Sequence, residues 1–343
     1  MSWRVVPATE LAARPEQLER WRRLHRESAG SPLLAPEFVL PLLAVFGTGR
    51  EVLAWRERNG EADVMAILAP SRLGAWNTFQ PAQAPVGLWL QRGAGAPGAG
   101  LPGLLRALPG AALTLGLTQC DPMLMERPAH GDGGLRSMDY IETARVTLPA
   151  SFEDYWNTRG KNLRSNLRKQ RKRLQDDGVP TRLQASRAAH EMAAAVEDYG
   201  RLESAGWKAQ DGTAVSAGNE QGRFYRAMLE AFAATDAACV YRYFIGERLA
   251  AMDLCVEGGG CIVVLKTTYD EGIGNGLSPA LLMREEATRD IIEARRFERI
   301  EFYGRVMEWH LRWTGEVRTM YHLNAYRWPW LGRLHARVAG RPA

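Results

Sequence analysis

CIVVLKTTYDEGIGNGLSPALLMREEATRDIIEARRFERIEFYG, residues 261–304, decides the fold of this chain. Its first ten residues, rich in β-branched side chains, read as a strand over 261–270. Gly272, Gly274 and Gly276 break that pattern, and Ser278-Pro279 opens a helix that runs to about Arg295. RIEFYG, 299–304, reads as a second strand. Upstream, Val240 to Ile245, the turn GER and Leu249 to Val256 read as strand, turn, strand. The same figure occurs about 190 positions earlier, where Val52 to Trp55 and Ala62 to Ala69 flank RERNGE. Helix, three strands, helix and strand in that order imply an α/β or α+β layer structure with a mostly antiparallel central sheet. Its recurrence suggests a duplicated architecture. The boundary is expected near Ala150, giving domains of 1–150 and 151–343. QRGAGAPGAGLPG, 91–103, reads as a surface loop inside the first domain, because a helix-like LLRAL and a strand-like ALTLGLTQ follow it.

The composition is that of an ordinary globular protein: 343 residues, 46% hydrophobic and 24% charged. Forty-four Lys and Arg against 39 Asp and Glu leave a formal charge of +5, which permits anionic partners without demanding them. The longest apolar stretches, such as Leu42 to Phe46 and Cys261 to Leu265, reach only a few residues, far short of the ~20 of a membrane span. The N-terminus meets charge too early for a signal-peptide core, so the cytoplasm is the expected location. Cys120, Cys239, Cys255 and Cys261 form no CxxC pair and have no His-rich companions, so no metal site is expected.

FEDYWNTRGKNLRSNLRKQRKRLQDDG, 152–178, places Leu163, Leu167, Gln170 and Leu174 on one arc of a helix from about Lys161 to Gln175. Lys161, Arg164, Arg168, Arg171 and Lys172 gather on another side, which reads either as a solvated face or as a surface for acidic lipid, nucleic acid or a phosphorylated ligand. The loop DEGIGNGLSPALLM, 270–283, is either a tight turn or a phosphate cradle, since glycine backbone N–H groups can converge there at a helix N-terminus. It matches neither G-x-G-x-x-G nor a Walker A loop.

NLRSNLRKQRKRLQ, then ESAGWKAQDGTA (203–214), LKTTYDE, Ser278-Pro279, IEFYG and WHLRW together resemble the BioF2-like acetyltransferase family of the GNAT superfamily. Fem-type aminoacyl transferases and proteins of cellulose and polysaccharide synthesis are its relatives. The resemblance is strongest from about 150 to 328; SPLLAPEFV (31–39) and the Asn-Gly hairpin fit the family's weaker N-terminal part. It implies tandem GNAT-like domains, the first degenerate, and a donor, acyl-CoA or acetyl-CoA, held in the second. The donor's pyrophosphate would lie on Gly272, Gly274, Asn275, Gly276 and Ser278, and the acceptor would be a small-molecule amine. Glu203 is then a candidate general base with His310 as the alternative, and Tyr269 a candidate proton donor to the departing thiolate. Trp207 would wall the acceptor and Lys208 grip an anionic group of it. Asp253 and Lys266, in neighbouring strands, would form a buried polar pair. Two other readings stay open: a Fem-like enzyme whose donor is aminoacyl-tRNA, and a non-catalytic scaffold of an envelope polysaccharide or lipid pathway. In the scaffold reading Lys161, Arg164, Arg168 and Arg171 would meet the inner membrane surface.

Overall fold

The computed structural model describes residues 2–97, 100–129, 135–204, 215–216, 218–274 and 276–333. The chain divides into two compact units, Met1–Glu142 with Arg318–Ala343, and Thr143–Val317. Both are mixed α/β, with a mostly antiparallel sheet flanked by helices.

The first unit contains β1 (Trp3–Pro7), α1 (Glu10–Ala13), α2 (Pro15–Arg26), α3 (Pro36–Phe46), β2 (Val52–Arg58), β3 (Glu61–Arg72), β4 (Ala75–Thr78), β5 (Trp89–Gln91), α4 (Leu101–Ala107) and β6 (Thr114–Cys120). β7 (Arg136–Thr147) then leads into the second unit. There follow α5 (Phe152–Asn157), α6 (Lys161–Asp176), β8 (Thr181–Ser186), α7 (Ala189–Ser204), α8 (Glu220–Ala233), β9 (Ala238–Ile245), β10 (Arg248–Gly258), β11 (Cys261–Tyr269), α9 (Pro279–Ala294), β12 (Arg299–Phe302) and α10 (Glu308–Trp313). β13 (Glu316–Tyr326) returns the chain to the first unit.

The duplication is explicit in the strand order. β1-β2-β3-β4-β6 in the first unit and β8-β9-β10-β11-β12 in the second follow one plan, antiparallel until a final parallel pair, β4 with β6 and β11 with β12. A helix bridges each parallel pair, α4 in one case and α9 in the other, as a parallel crossover requires. The hairpin turns carry the expected chemistry. Asn59 and Gly60 both have positive φ, 54° and 82°, which matches the twist of the flanking strands in a two-residue turn.

The sixth strand of each sheet comes from outside the run of its first five. β13 pairs with β6 from Tyr321↔Cys120 to Tyr326↔Thr114, and β7 pairs with β12 over Thr147↔Arg299 to Arg145↔Glu301. Each unit is therefore completed by the strand that follows the other unit's fifth strand in the sequence. Pairing between segments so far apart leaves no local mark at residue 150.

Apolar faces fill separate cores. In the first unit Leu104, Leu105, Leu115, Tyr321 and Leu323 are fully or almost fully buried. In the second, Leu163, Leu167 and Leu174 of α6 and Leu282, Met283 and Ile291 of α9 cover one face of the sheet. Among the described residues, no helix is long and apolar enough to cross a membrane and no group of three His, Cys, Asp or Glu converges.

The two parallel pairs end differently. In the first unit Thr78 Oγ1 lies 2.7 Å from Thr118 Oγ1 and accepts from Thr118 N at 2.9 Å. Gly87 N donates to Thr118 O at 3.1 Å. A Cβ at Gly87 would collide with Thr78 Oγ1 and stand 2.6 Å from Thr118 O, so only glycine lets the chain close this gap. The space left there is about 20 Å³.

Candidate active site

In the second unit the corresponding gap is open. β11 and β12 pair from Cys261↔Arg299 to Val264↔Phe302, where β12 stops and β11 continues to Tyr269 against β10. Leu265 is an extra residue, because Val264 faces Cys255 while Lys266 faces Leu254. Such a bulge bends its strand and sharpens the local twist, which turns the end of β11 out of register with β12. A cavity of about 760 Å³ lies between the end of β11, the start of α9 and α10, lined in part by Thr267, Tyr269, Leu277, Ser278, Arg284 and Trp309. That volume is ordinary for a small-molecule site.

An ion pair stands at the edge of this cavity. Arg284 Nη2 donates to Asp253 Oδ1 at 3.0 Å, Arg284 Nη1 lies 2.8 Å from Asp253 Oδ2, and Thr267 Oγ1 donates to Asp253 Oδ1 at 2.6 Å. Burial pushes the Asp253 carboxyl up from its ordinary range, against the opposing pull of Arg284 and Thr267. Neither Arg284 nor Thr267 was foreseen as a site residue. The legible signal was a lone Arg on the apolar stripe of α9, between Met283 and Ala287, since a charge there needs a partner.

The expected Asp253–Lys266 pair does not form. Side chains alternate across a strand, so Thr267 and Tyr269 face the cavity while Lys266 points to the α7 side, where its Nζ lies 3.3 Å from Glu203 Oε1. Glu203 is 3% exposed, at the end of α7, and its Oε2 accepts from Val215 N at 2.8 Å. Lys266 Nζ also stands over the rings of Tyr199 and Tyr225, 5.7 and 5.5 Å from their centroids. Burial, and secondarily Glu203, raises both phenols well above their ordinary range and keeps them protonated. Glu203 is thus a buried, paired carboxylate behind β11. Trp207 and Lys208 lie outside the described residues.

The glycine loop is organised by side chains. Asp270 Oδ1 accepts from Gly272 N at 2.8 Å, and Asp270 Oδ2 is 2.5 Å from Arg248 Nε. Gly276 has φ +88°, a conformation that favours glycine. A Cβ on Gly274 would meet nothing within 4 Å. Asn275 lies outside the described residues. At the helix start Ser278 N donates to Gln170 Oε1 at 2.8 Å, so the polar member of the α6 stripe, itself 3% exposed, anchors the residue just before α9. The Ser278 side chain makes no capping bond of its own.

Tyr269 is 45% exposed at the mouth of the cavity. His310 is placed differently. Its Nδ1 accepts from Met307 N at 3.0 Å and caps α10, its ring stacks on Trp309 at 3.6 Å, and it is 5% exposed. Burial, then the Arg284 charge, lowers its pKa to about 4. A neutral imidazole whose Nδ1 is already an acceptor suits a positioning residue. The end of α10 is held in turn by Tyr155 Oη, which donates to Trp313 O at 2.8 Å.

The basic face of α6 is divided. Arg171 is pinned to α9 by Glu285 and Glu286, at 2.8 and 2.7 Å, so it belongs to the helix packing and not to an open anionic surface. Arg164 Nε donates to Arg159 O at 3.1 Å. Lys161 and Arg168 are exposed and form no ion pair among the described residues.

The open gap, the bulged strand and the loop before α9 lie within the part of the chain that resembles known proteins. Residues 161–311, all in the second unit, match the family model described as an acetyltransferase (GNAT) domain. Over these residues the chain is similar to GNAT acetyltransferase domains, a likeness that supports a transferase. No curated protein matches the sequence significantly. Among solved structures, FemX superposes with a TM-score of 0.57 at 8% identity, covering 94% of this chain and 98% of that one. A conserved protein of unknown function from Bacteroides thetaiotaomicron gives 0.56 at 12%, covering 90% and 97%. A C-terminal domain (DUF2156) provisionally named as part of a lysylphosphatidylglycerol synthetase from Agrobacterium fabrum gives 0.55 at 14%, covering 94% and 96%. At these identities the likeness is one of fold.

Proposed function

We propose that the second unit transfers an acyl group from an acyl-CoA thioester to an amine, as a BioF2-like member of the superfamily working in the cytoplasm. The observation that carries this reading is the opening between β11 and β12 beyond Val264 and Phe302, with Ser278 and the positive end of α9 at one side of the cavity. The donor's phosphates would meet the loop from Gly272 to Ser278, and Leu277 and Trp309 would offer apolar wall to its chain. The amine nitrogen attacks the thioester carbonyl carbon, a C–N bond forms, the C–S bond breaks and the thiolate leaves with its electron pair. Glu203 is the proposed acceptor of the amine's proton, through water because it is buried behind β11, and Tyr269 the proposed donor to the thiolate. Trp207 and Lys208 are proposed to contact the acceptor.

Thermal unfolding with CoA, acetyl-CoA and bulk tRNA tests the donor, because a ligand of the native state raises its apparent stability. Saturable stabilisation by the CoA compounds is expected. Stabilisation by tRNA alone would move the assignment to a Fem-like donor. Replacing Glu203 with Gln is expected to lower turnover by about 10²- to 10⁴-fold with little effect on CoA binding. Unchanged turnover would remove it from the chemistry.

A further inference from the structure

The chain beyond β13 carries an aromatic feature that acyl transfer does not use. Trp328 and Trp330 are 45% and 52% exposed, and their rings lie nearly parallel, 8° apart with centroids 6.0 Å from each other. Two neighbouring indoles at the surface leave a large apolar area in water. The segment that presents them is fixed. Arg327 N donates to Leu113 O at 2.8 Å and its Nη1 to Ala112 O at 3.2 Å, while Leu331 N donates to Trp328 O at 3.0 Å. Gly332 lies so close to the ring of Tyr326 that a Cβ would stand 3.0 Å from it. The described segment that carries the indoles, Arg327 to Arg333, has two arginines and no Asp or Glu. Arg327 also sits over the Trp328 ring at 5.6 Å.

We propose that Trp328 and Trp330 form a docking point for an anionic bilayer surface. Indoles favour the boundary between headgroups and acyl chains, where the ring is apolar and its N–H remains wet. Neighbouring arginines add attraction to anionic headgroups. Neither part suffices alone, since one apolar contact or a few charges give only weak, reversible binding. A nucleic acid would also attract the arginines, but the paired exposed indoles favour a medium that accepts apolar surface.

The full chain is to be sedimented with vesicles of pure phosphatidylcholine and with vesicles of equal parts phosphatidylcholine and phosphatidylglycerol. Binding to the anionic vesicles that weakens with salt is expected, with little to the neutral ones. Trp328→Ala with Trp330→Ala is expected to reduce that binding by about tenfold or more. Trp328→Phe with Trp330→Phe should keep part of it, and circular dichroism would show that both variants are folded. The proposal is overturned if the wild-type chain does not bind the anionic vesicles, if the alanine variant binds them equally well, or if a polyanion such as heparin competes fully while added apolar surface contributes nothing.

Discussion

His310 has the residue type of a general base and the surroundings of a helix cap. Its ordinary pKa near 6.5 falls to about 4, first through burial and then through Arg284. Between those values the unfolded chain binds a proton that the folded chain refuses, so stability must rise with pH across this window. The stability from keeping His310 neutral is complete above about 6.5 and is lost as pH falls toward 4. Denaturation midpoints measured at pH 7 and pH 5 are expected to differ less in His310→Gln than in the wild type. An equal difference in the two proteins would show that His310 does not govern this window. The contrast with Glu203 is one of placement. Both residues are buried, but Glu203 ends α7 beside Lys266, whereas His310 is used by the Met307 backbone.

At the scale of elements, α6 and α9 act as one support for the loop before α9, where the donor is proposed to bind. Gln170 accepts from Ser278 N, and Arg171 pairs with Glu285 and Glu286 about two turns further into α9. Gln170→Leu keeps the apolar packing but leaves a backbone N–H without its acceptor, a loss of about 1–3 kcal/mol if water cannot reach it. A raised KM for the donor with turnover nearly unchanged is the expected kinetic result; an unchanged KM would detach α6 from donor binding. Arg171→Glu should destabilise the fold while Arg168→Glu should not, since only the first faces two carboxylates. This division was half visible beforehand. The stripe of Leu163, Leu167, Gln170 and Leu174 was legible because helical periodicity is local, and the buried set is the same four residues. That Arg171 meets α9 was not legible, because its partners lie 114 and 115 positions away. The Asp253 partner differs from the expected Lys266 for another reason, since strand alternation sends the side chains of Asp253 and Lys266 to opposite faces.

For the whole molecule, β13 makes the first unit depend on sequence far outside its N-terminal stretch, and β7 starts the sheet of the second unit before residue 150. A chain cut at residue 150 would give a first fragment without β13 and a second without the Arg145–Thr147 segment that pairs with β12. Neither fragment is expected to unfold cooperatively alone, whereas co-expression of the two should recover a folded complex. Two fragments that each show a sharp, independent transition would contradict this dependence. The hairpins and the crossover helix α9 were within reach of local pattern reading, but the exchange of sixth strands was not. The same exchange sets a timetable for synthesis. β6 ends at Cys120 and its partner strand begins at Glu316, so roughly 200 residues must be translated between them, about 10–40 s at ribosomal rates. Through that interval the nascent first sheet has an unpaired edge at β6, the kind of edge that recruits stray strands. Production of this protein therefore depends on what shields a half-made sheet, and a faster ribosome or a chaperone at the tunnel exit would raise its yield without changing a single native contact.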